Sequence, residues 1–310
     1  MLPCVYAAVV LASLAGILKI YLKLTTGVCK STKSLEGKTA LVTGASRGIG
    51  YQTALALARR KARVIMACLS KRSGESAQAS IIRDSGNQHV VLKIVDLSSL
   101  RSVRNFADSV IRTENRLDIL VNNAGTSGKI TALTEDGLDF TYATNYLGPF
   151  LMTNLLLDLL QKSSPSRIVC LTSSAHVVGK IDFEKLKVGK SVNSGRVYCD
   201  TKLAIILFTR KLAKELAGSG VTVNSVNPGS VKTDLTRKHP IIYTLGYFFF
   251  KNPEEGAQTS VYCAVSEEVE GISGKHFADC ALSSVSRHAC DDHVGERLWS
   301  VSRKLVGLEK

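Results

Sequence analysis

The sequence predicts a doubly wound α/β fold: one domain built on a parallel sheet with helices on both faces. Three observations lead there. From Glu36 onward, short runs rich in β-branched residues alternate with stretches of helical length and period. The runs are apolar almost throughout, as strands buried on both faces must be. The first ends in a glycine-rich turn, TGASRGIG, that opens a helix.

In chain order, the strands or their C-terminal ends are TALVTG (39–44), RVIMAC (63–68), HVVLKIVDL (89–97), LDILVNNAG (117–125), RIVCLTSS (167–174), VTVNSVNPG (221–229) and KHFAD (275–279). No internal repeat or low-complexity linker divides them, so residues 36–310 read as one domain, within the size such folds reach. Ligands of such a sheet bind beyond the carboxyl ends of its strands, so chemistry is sought there.

Ahead of that domain, residues 1–24 read as a membrane anchor and 25–35 as a basic linker. No charge falls between Leu2 and Leu18, and IYLKL carries the apolar character past Lys19. About 20 helical residues span the hydrocarbon core, so the stretch suffices if Lys19 and Lys23 snorkel. No lysine or arginine precedes the apolar run, unlike a cleaved signal peptide. Lys19, Lys23, Lys30 and Lys33 all follow its start, which turns the main domain toward the cytosol.

The formal charge of the chain is +14. A basic balance suits a nucleic acid, an anionic membrane surface or an anionic cofactor. No zinc-finger spacing or RNP-type aromatic motif is present, so nucleic acid is not the expected partner and membrane lipid is. Eight scattered cysteines without a CxxC pair indicate free thiols and a reducing compartment. HACDDH (288–293) concentrates metal-ligand types but lacks the partners of a tetrahedral zinc site, so it reads as a polar turn and no metal is expected.

Two motifs carry chemistry on their own terms. In TGASRGIG, Gly44, Gly48 and Gly50 frame Ser46, Arg47 and Ile49. Such glycines let a backbone approach a pyrophosphate at the N-terminus of the next helix, so a dinucleotide is expected. At the end of the second strand, Leu69 and Ser70 occupy the place of the acid that bonds a ribose 2′-hydroxyl, and Lys71 and Arg72 follow. With Arg47 in the loop, these cations favour a 2′-phosphate, hence NADP(H) over NAD(H). The second motif is VYCDTKLAIILFT (197–209), where Tyr198 and Lys202 sit four residues apart on one helical face. Hydride transfer to or from a carbinol needs a proton to move with it. A phenol has a pKa near 10, and lowering it by ~3 units takes about 4 kcal/mol, which a lysine and an oxidised nicotinamide can supply. In the reductive direction the phenol donates instead.

These motifs occur in order with NNAG (122–125), Asn145 in NYLG, TSS (172–174) and NPG (227–229). The ordered set resembles the short-chain dehydrogenase/reductase family over essentially the whole chain after residue 36, and its fold is Rossmann-like. Within the family, the anchor, SSAH (173–176), KLAIILFTRKLAKEL and PGSVKTDL are similar to the microsomal retinol dehydrogenase group. The resemblance implies NADP(H)-dependent interconversion of a lipophilic alcohol and aldehyde, retinol and retinaldehyde first, with steroids, isoprenoids and fatty aldehydes as alternatives. It implies a membrane, the endoplasmic reticulum foremost, and a subunit interface near Tyr198 that would make a homodimer.

The resemblance also assigns roles. Tyr198 and Lys202 become the acid/base pair, both touching the cofactor, and Asn145 holds a water that links the lysine to solvent. Ser173 or Ser174 holds the substrate oxygen; alignment on Ala175 and His176 favours Ser173. Asp96 and Leu97 meet the adenine, Asn123, Ala124 and Gly125 line the ribose floor, and Pro228, Gly229, Val231 and Thr233 lie near the nicotinamide. Asp96 has another reading, as a cap for the next helix, and Asn145 another as a backbone brace. His176 reads as a packed or hydrogen-bonded histidine rather than a base. The run 239–251, HPIIYTLGYFFFK, reads equally as core or as a hydrophobic lid touching the bilayer. A chain that senses NADPH or carries lipid without chemistry is the alternative of a different class. The filled Ser–Tyr–Lys set argues against it.

Overall fold

The computed structural model describes residues 2–127, 132–183, 186, 194–232, 246 and 249–309, with side chains of the N-terminal helix described at 6, 10 and from 13 onward. Among the described residues eight strands form one sheet: β1 (Thr39–Thr43), β2 (Arg63–Cys68), β3 (Val90–Ile94), β4 (Ile119–Asn122), β5 (Ser166–Leu171), β6 (Val221–Asn227), β7 (His276–Ala278) and β8 (Ala281–Leu282). Their order is β3-β2-β1-β4-β5-β6-β7-β8. The first seven are mutually parallel and β8 runs antiparallel to β7. All seven expected strands form. The eighth is new: a two-residue turn at Asp279 and Cys280, with φ of 48° and 56°, reverses the chain. Such mirror-image hairpin turns usually advertise themselves as Asn-Gly or Asp-Gly, which Asp-Cys does not.

Strand residues alternate between two cores, as the period of two demands. Ala40, Val42, Val64, Met66 and Val121 pack on one face. There they meet helices α2 (Gly48–Arg59), α3 (Lys71–Ser85) and α9 (Pro253–Val265). Leu41, Ile65, Leu120 and Ile168 point the other way. They meet α4 (Leu100–Thr113), α6 (Gly148–Leu155), α7 (Leu157–Lys162), α8 (Ser194–Glu215) and α10 (Asp292–Leu305). On that face Tyr146, Phe150, Phe208 and Trp299 form an aromatic cluster with ring centroids 5.2–6.3 Å apart. Such pairs contribute about 0.5–1.5 kcal/mol each beyond burial. The cluster fixes α8, and with it Tyr198 and Lys202, against the sheet.

Successive strands step outward from β1 to β2 and β3, then return to the other side of β1 at β4. The crevice at that reversal is where doubly wound sheets take ligands. Thr43 stitches it: its Oγ1 accepts from the backbone N–H of Asn123 and of Ala124, both at 2.9 Å, and its carbonyl accepts from Asn123 Nδ2 at 2.7 Å.

One expectation for the N-terminal region is not met. Helix α1 (Leu2–Leu24) forms where an anchor was expected, but among the described residues no helix is long and apolar enough to cross a membrane. The side chains of α1 are described mainly from position 13 onward, and over that stretch Lys19 and Lys23 interrupt the apolar run. The segment 25–35 packs onto the domain. Gly27 N–H donates to Asp279, Cys29 N–H donates to Gln258, Arg60 donates to the Ser31 carbonyl, and Leu35 is buried.

Candidate active site

The glycine loop sits between β1 and α2 at the reversal point. Gly44 and Gly48 have φ of +68° and +58°, a region side chains disfavour. A Cβ on Gly50 would lie 2.4 Å from the Gly44 carbonyl oxygen and 2.4 Å from Asn123 Nδ2. The loop therefore folds tightly against the NNAG segment and leaves backbone exposed above it. Helix α2 begins with Arg47 at its N-cap, extended and making no side-chain cap. Its first N–H groups need an acceptor, and a pyrophosphate is one. Ile49 and Val231 both pack toward Gly256 of α9, which joins the loop to the NPG strand end. The residues present fit a dinucleotide.

Other expected cofactor contacts fall around this crevice. Asp96 leaves β3 and its carboxylate accepts from Ser98 N–H at 2.8 Å and Ser98 Oγ at 2.6 Å. It does not cap α4; Ser99 does, accepting from Ser102 N–H. Leu97 is buried beside it. The second strand delivers Lys71 and Arg72 to the first two positions of α3, both exposed, with no acid in that first turn. Cations at a helix N-terminus oppose its dipole, a cost that a bound anion offsets. Gly229 (φ +78°) follows Pro228 and its backbone lies against Lys251, whose ammonium pairs with Asp279 at 2.5 Å. Thr233 lies outside the described residues, as does most of 239–251; there only Gly246 and Phe249 to Lys251 are described, with both phenylalanines half-buried.

The chemical residues converge from three elements. Strand β5 ends at Leu171 and leads through Thr172 to Ser173, while α8 supplies Tyr198 and Lys202. Asn145 comes from a π-helical stretch (Ala143–Leu147) between α5 (Phe140–Tyr142) and α6. Such π-bulges gather at functional sites because they re-aim a side chain. Of the adjacent serines, Ser173 is half-buried and hydrogen-bonded to Tyr198, whereas Ser174 is exposed on a 3₁₀ turn (Ser174–Val178). Ser173 Oγ also accepts from Ala175 N–H at 3.2 Å, which leaves its proton for an oxygen on the Tyr198 side. Lys202 is buried, donates to the Leu171 carbonyl at 3.1 Å, and has its Nζ 5.5 Å from the Tyr198 ring centroid. Asn145 braces the exit of β4. Its Oδ1 accepts from Thr126 N–H at 2.7 Å, and its Nδ2 donates to the Thr126 carbonyl at 3.0 Å and to Thr201 Oγ1 at 3.1 Å. A Cβ on Gly125 would stand 3.4 Å from Asn145 Oδ1 and 3.6 Å from Lys202 Nζ, so the three meet at one point.

The electrostatics differ from the sequence expectation. Burial raises the Tyr198 phenol, and the Ser173 hydrogen bond opposes this only in part. Burial also brings Lys202 down to about 8. The chain by itself thus holds Tyr198 firmly protonated. Residue types alone do not report the depth of the site, and depth decides the direction here.

Some participants were not legible. Thr43, Thr126 and Thr201 brace the site through single hydroxyls or backbone atoms, and isolated threonines are too common in a sequence to single out. Lys251 and Asp279 are 28 residues apart and meet only in the fold. In HACDDH, Asp291 caps α10 and Asp292 pairs with Lys214 and Arg210, so both acids have structural partners.

Comparison with known proteins gives this geometry its lineage. Residues 38–240 match the family model described as short chain dehydrogenase. Mouse retinol dehydrogenase 11 is 46% identical over 293 residues, covering 94% of this chain and 93% of that protein. Human retinol dehydrogenase 13 is 46% identical over 309 residues, covering 96% and 92%. Among solved structures, the RhlG/NADP active-site complex of Pseudomonas aeruginosa superposes with a TM-score of 0.64 at 28% identity, covering 79% of this chain and 95% of that one. The chain therefore belongs to the short-chain dehydrogenase family, in its retinol dehydrogenase-like group, and is an oxidoreductase acting on CH–OH groups.

Proposed function

We propose that the protein uses NADPH to reduce a lipophilic aldehyde, retinaldehyde foremost, with ketosteroids, isoprenoid aldehydes and fatty aldehydes as the nearest alternatives. The observation that carries this reading is the half-buried Tyr198 hydroxyl, held protonated, bonded to Ser173 and flanked by Lys202. A phenol held protonated is set to donate.

When bound, NADPH supplies the hydride. The rest is the work of this chain. Ser173, its lone pair engaged by Ala175 N–H, donates to the substrate carbonyl oxygen and fixes it against Tyr198. Tyr198 gives its proton to that oxygen as negative charge develops there. The Lys202 ammonium stabilises the phenolate left behind. Asn145, bracing Thr126 and facing Thr201, orders the water through which a proton returns by way of Lys202.

The preference for NADPH rests on Lys71 and Arg72 at the first turn of α3, which holds no acid, with Arg47 in the loop; Lys71 also pairs with Glu75 at 3.8 Å. The named relatives are retinol dehydrogenases, and a solved relative holds NADP. The lipophilic preference rests on Val177 and Val178, exposed beside the Ser173 turn, and on exposed Leu282. Residues 1–24 act as the membrane attachment, with Ile17, Ile20, Tyr21 and Leu24 exposed on α1. Residues 25–35 join it to the catalytic unit 36–310. We place the protein on the endoplasmic reticulum with its active site toward the cytosol, as a homodimer built around α8.

The test is product formation from retinaldehyde, farnesal, a long-chain aldehyde, a ketosteroid and a short hydrophilic aldehyde, with NADPH or NADH. Retinaldehyde with NADPH is expected to give the highest kcat/KM, by about a hundredfold over NADH, through contacts to the 2′-phosphate. Equal turnover of the hydrophilic aldehyde, or a preference for NADH, contradicts the reading. The sign of the pH dependence also follows. The Lys202 ammonium is present below about 8 and lost above it, so kcat for reduction falls as pH rises through that value. A flat profile from pH 6.5 to 9.5 contradicts this role for Lys202.

A further inference from the structure

His176 takes no part in the chemistry above, yet it is 3% exposed and makes two directed hydrogen bonds. Its Nδ1 lies 2.7 Å from the Ser173 carbonyl oxygen, which also accepts the His176 backbone N–H at 3.1 Å. Its Nε2 accepts from the Ser286 backbone N–H at 3.3 Å. An amide N–H can only donate, so Nε2 must carry the lone pair, and a neutral imidazole then carries its proton on Nδ1. That proton points at the Ser173 carbonyl. The partners fix the tautomer, and the tautomer fixes the serine's backbone.

The second imidazole completes the arrangement. His276 of β7 stands edge-on to His176 with ring centroids 5.5 Å apart, and its Nδ1 meets Ser225 Oγ at 2.9 Å. Burial, with the neighbouring His176 second, holds its pKa down at about 4, so its ring is neutral near pH 7. The Ser283 N–H donates to the His276 carbonyl at 2.9 Å. The strap 283–286 is therefore tied at one end to His276 and at the other to His176. Through them the chain leaving β8 grips the turn that carries Ser173.

We propose that His176 is a positioning residue for Ser173, holding the serine turn to the Ser286 strap so that the Ser173 hydroxyl stays on the Tyr198 oxygen. The inference rests on the reading of Ser173 and Tyr198 given above. It assigns a task to a histidine that a Ser–His pairing would tempt one to read as a base. With Nδ1 on a carbonyl and Nε2 on an amide, neither nitrogen is available to take a proton from Ser173.

Geometry suggests variants that separate the two bonds. In His176→Asn the side-chain amide nitrogen occupies the position of Nδ1 and keeps the donor to Ser173. His176→Ala removes both bonds. Ser286 has φ of −61°, which proline adopts, and its hydroxyl has no partner, so Ser286→Pro deletes little beyond the N–H that Nε2 accepts. Two readouts are compared: steady-state reduction of retinaldehyde, and titration of Tyr198 followed by NMR on ring-labelled tyrosine. In His176→Ala kcat is expected to fall about tenfold, with aldehyde KM and NADPH affinity within about twofold of wild type. The Tyr198 titration is expected to move to higher pH, because the Ser173 hydrogen bond that lowers it is lost. His176→Asn is expected to recover most of both effects. An unchanged kcat and titration in His176→Ala overturn the proposal, as does His176→Asn being as impaired as His176→Ala. A raised KM at unchanged kcat also overturns it, since that marks a substrate contact. If His176→Ala does not fold, Ser286→Pro decides by the same two readouts. Should the wild type reduce no aldehyde, the functional reading fails; the Tyr198 titration then decides the positioning role alone, a shift supporting it and no shift overturning it.

Discussion

Tyr198→Phe is expected to lower kcat for aldehyde reduction by about a thousandfold while leaving NADPH affinity within about twofold. The phenylalanine keeps the ring that fills the wall of α8 and removes only the hydroxyl. What is lost is the proton donor and the hydrogen bond to Ser173. What remains is the cofactor cradle and the Lys202 ammonium held by the Leu171 carbonyl. Positioned proton transfer contributes about 10²–10⁴-fold, which sets the scale of the loss. Stopped-flow measurement of NADPH binding by fluorescence, beside steady-state turnover, separates the two effects. Turnover near wild type in this variant removes Tyr198 as the acid.

Gly50→Ala is expected to weaken NADPH binding by about a hundredfold, or about 2.7 kcal/mol. The new Cβ would stand 2.4 Å from both the Gly44 carbonyl oxygen and Asn123 Nδ2. The carbonyl is backbone and cannot swing aside, so the loop must open at the point where the pyrophosphate would sit. Gly295→Ala is the matched control. Its Cβ would meet Leu207 of α8 at 3.8 Å, an ordinary van der Waals contact. That variant is expected to bind NADPH as wild type does. Similar affinities for both variants would show that the glycine loop does not hold the cofactor.

Much of this molecule was legible because its signals are local and periodic. The seven parallel strands announced themselves as apolar β-branched runs between helices, and each formed within a few residues of its expected place. TGASRGIG was legible because a glycine turn between strand and helix has one economical use. Tyr198 and Lys202 were legible because i and i+4 share a helical face. The features that escaped depend on burial or on distant pairing. The π-helical stretch at Asn145 is five residues long and carries no period of its own. Strand β8 hangs on two left-handed residues, Asp279 and Cys280, neither of which is glycine. Helix α1 was expected to span a bilayer, but among the described residues no helix is long and apolar enough to do so. The raised phenol of Tyr198 follows from how deeply the site is sunk, which no motif encodes. His176 was read as packed or hydrogen-bonded, and it is both; that its partners are the Ser173 carbonyl and Ser286, 110 residues downstream, is visible only in the fold.

In the proposed reaction a hydride passes from NADPH to an aldehyde carbon while Tyr198 protonates the oxygen. The most direct test uses NADPH carrying deuterium at both C4 positions, with retinaldehyde, and mass spectrometry of the product. Retinol with one deuterium on its carbinol carbon, formed by the wild type and lost in Tyr198→Phe, is the result predicted here. Retinol without deuterium, or labelled retinol formed equally by both proteins, would contradict it.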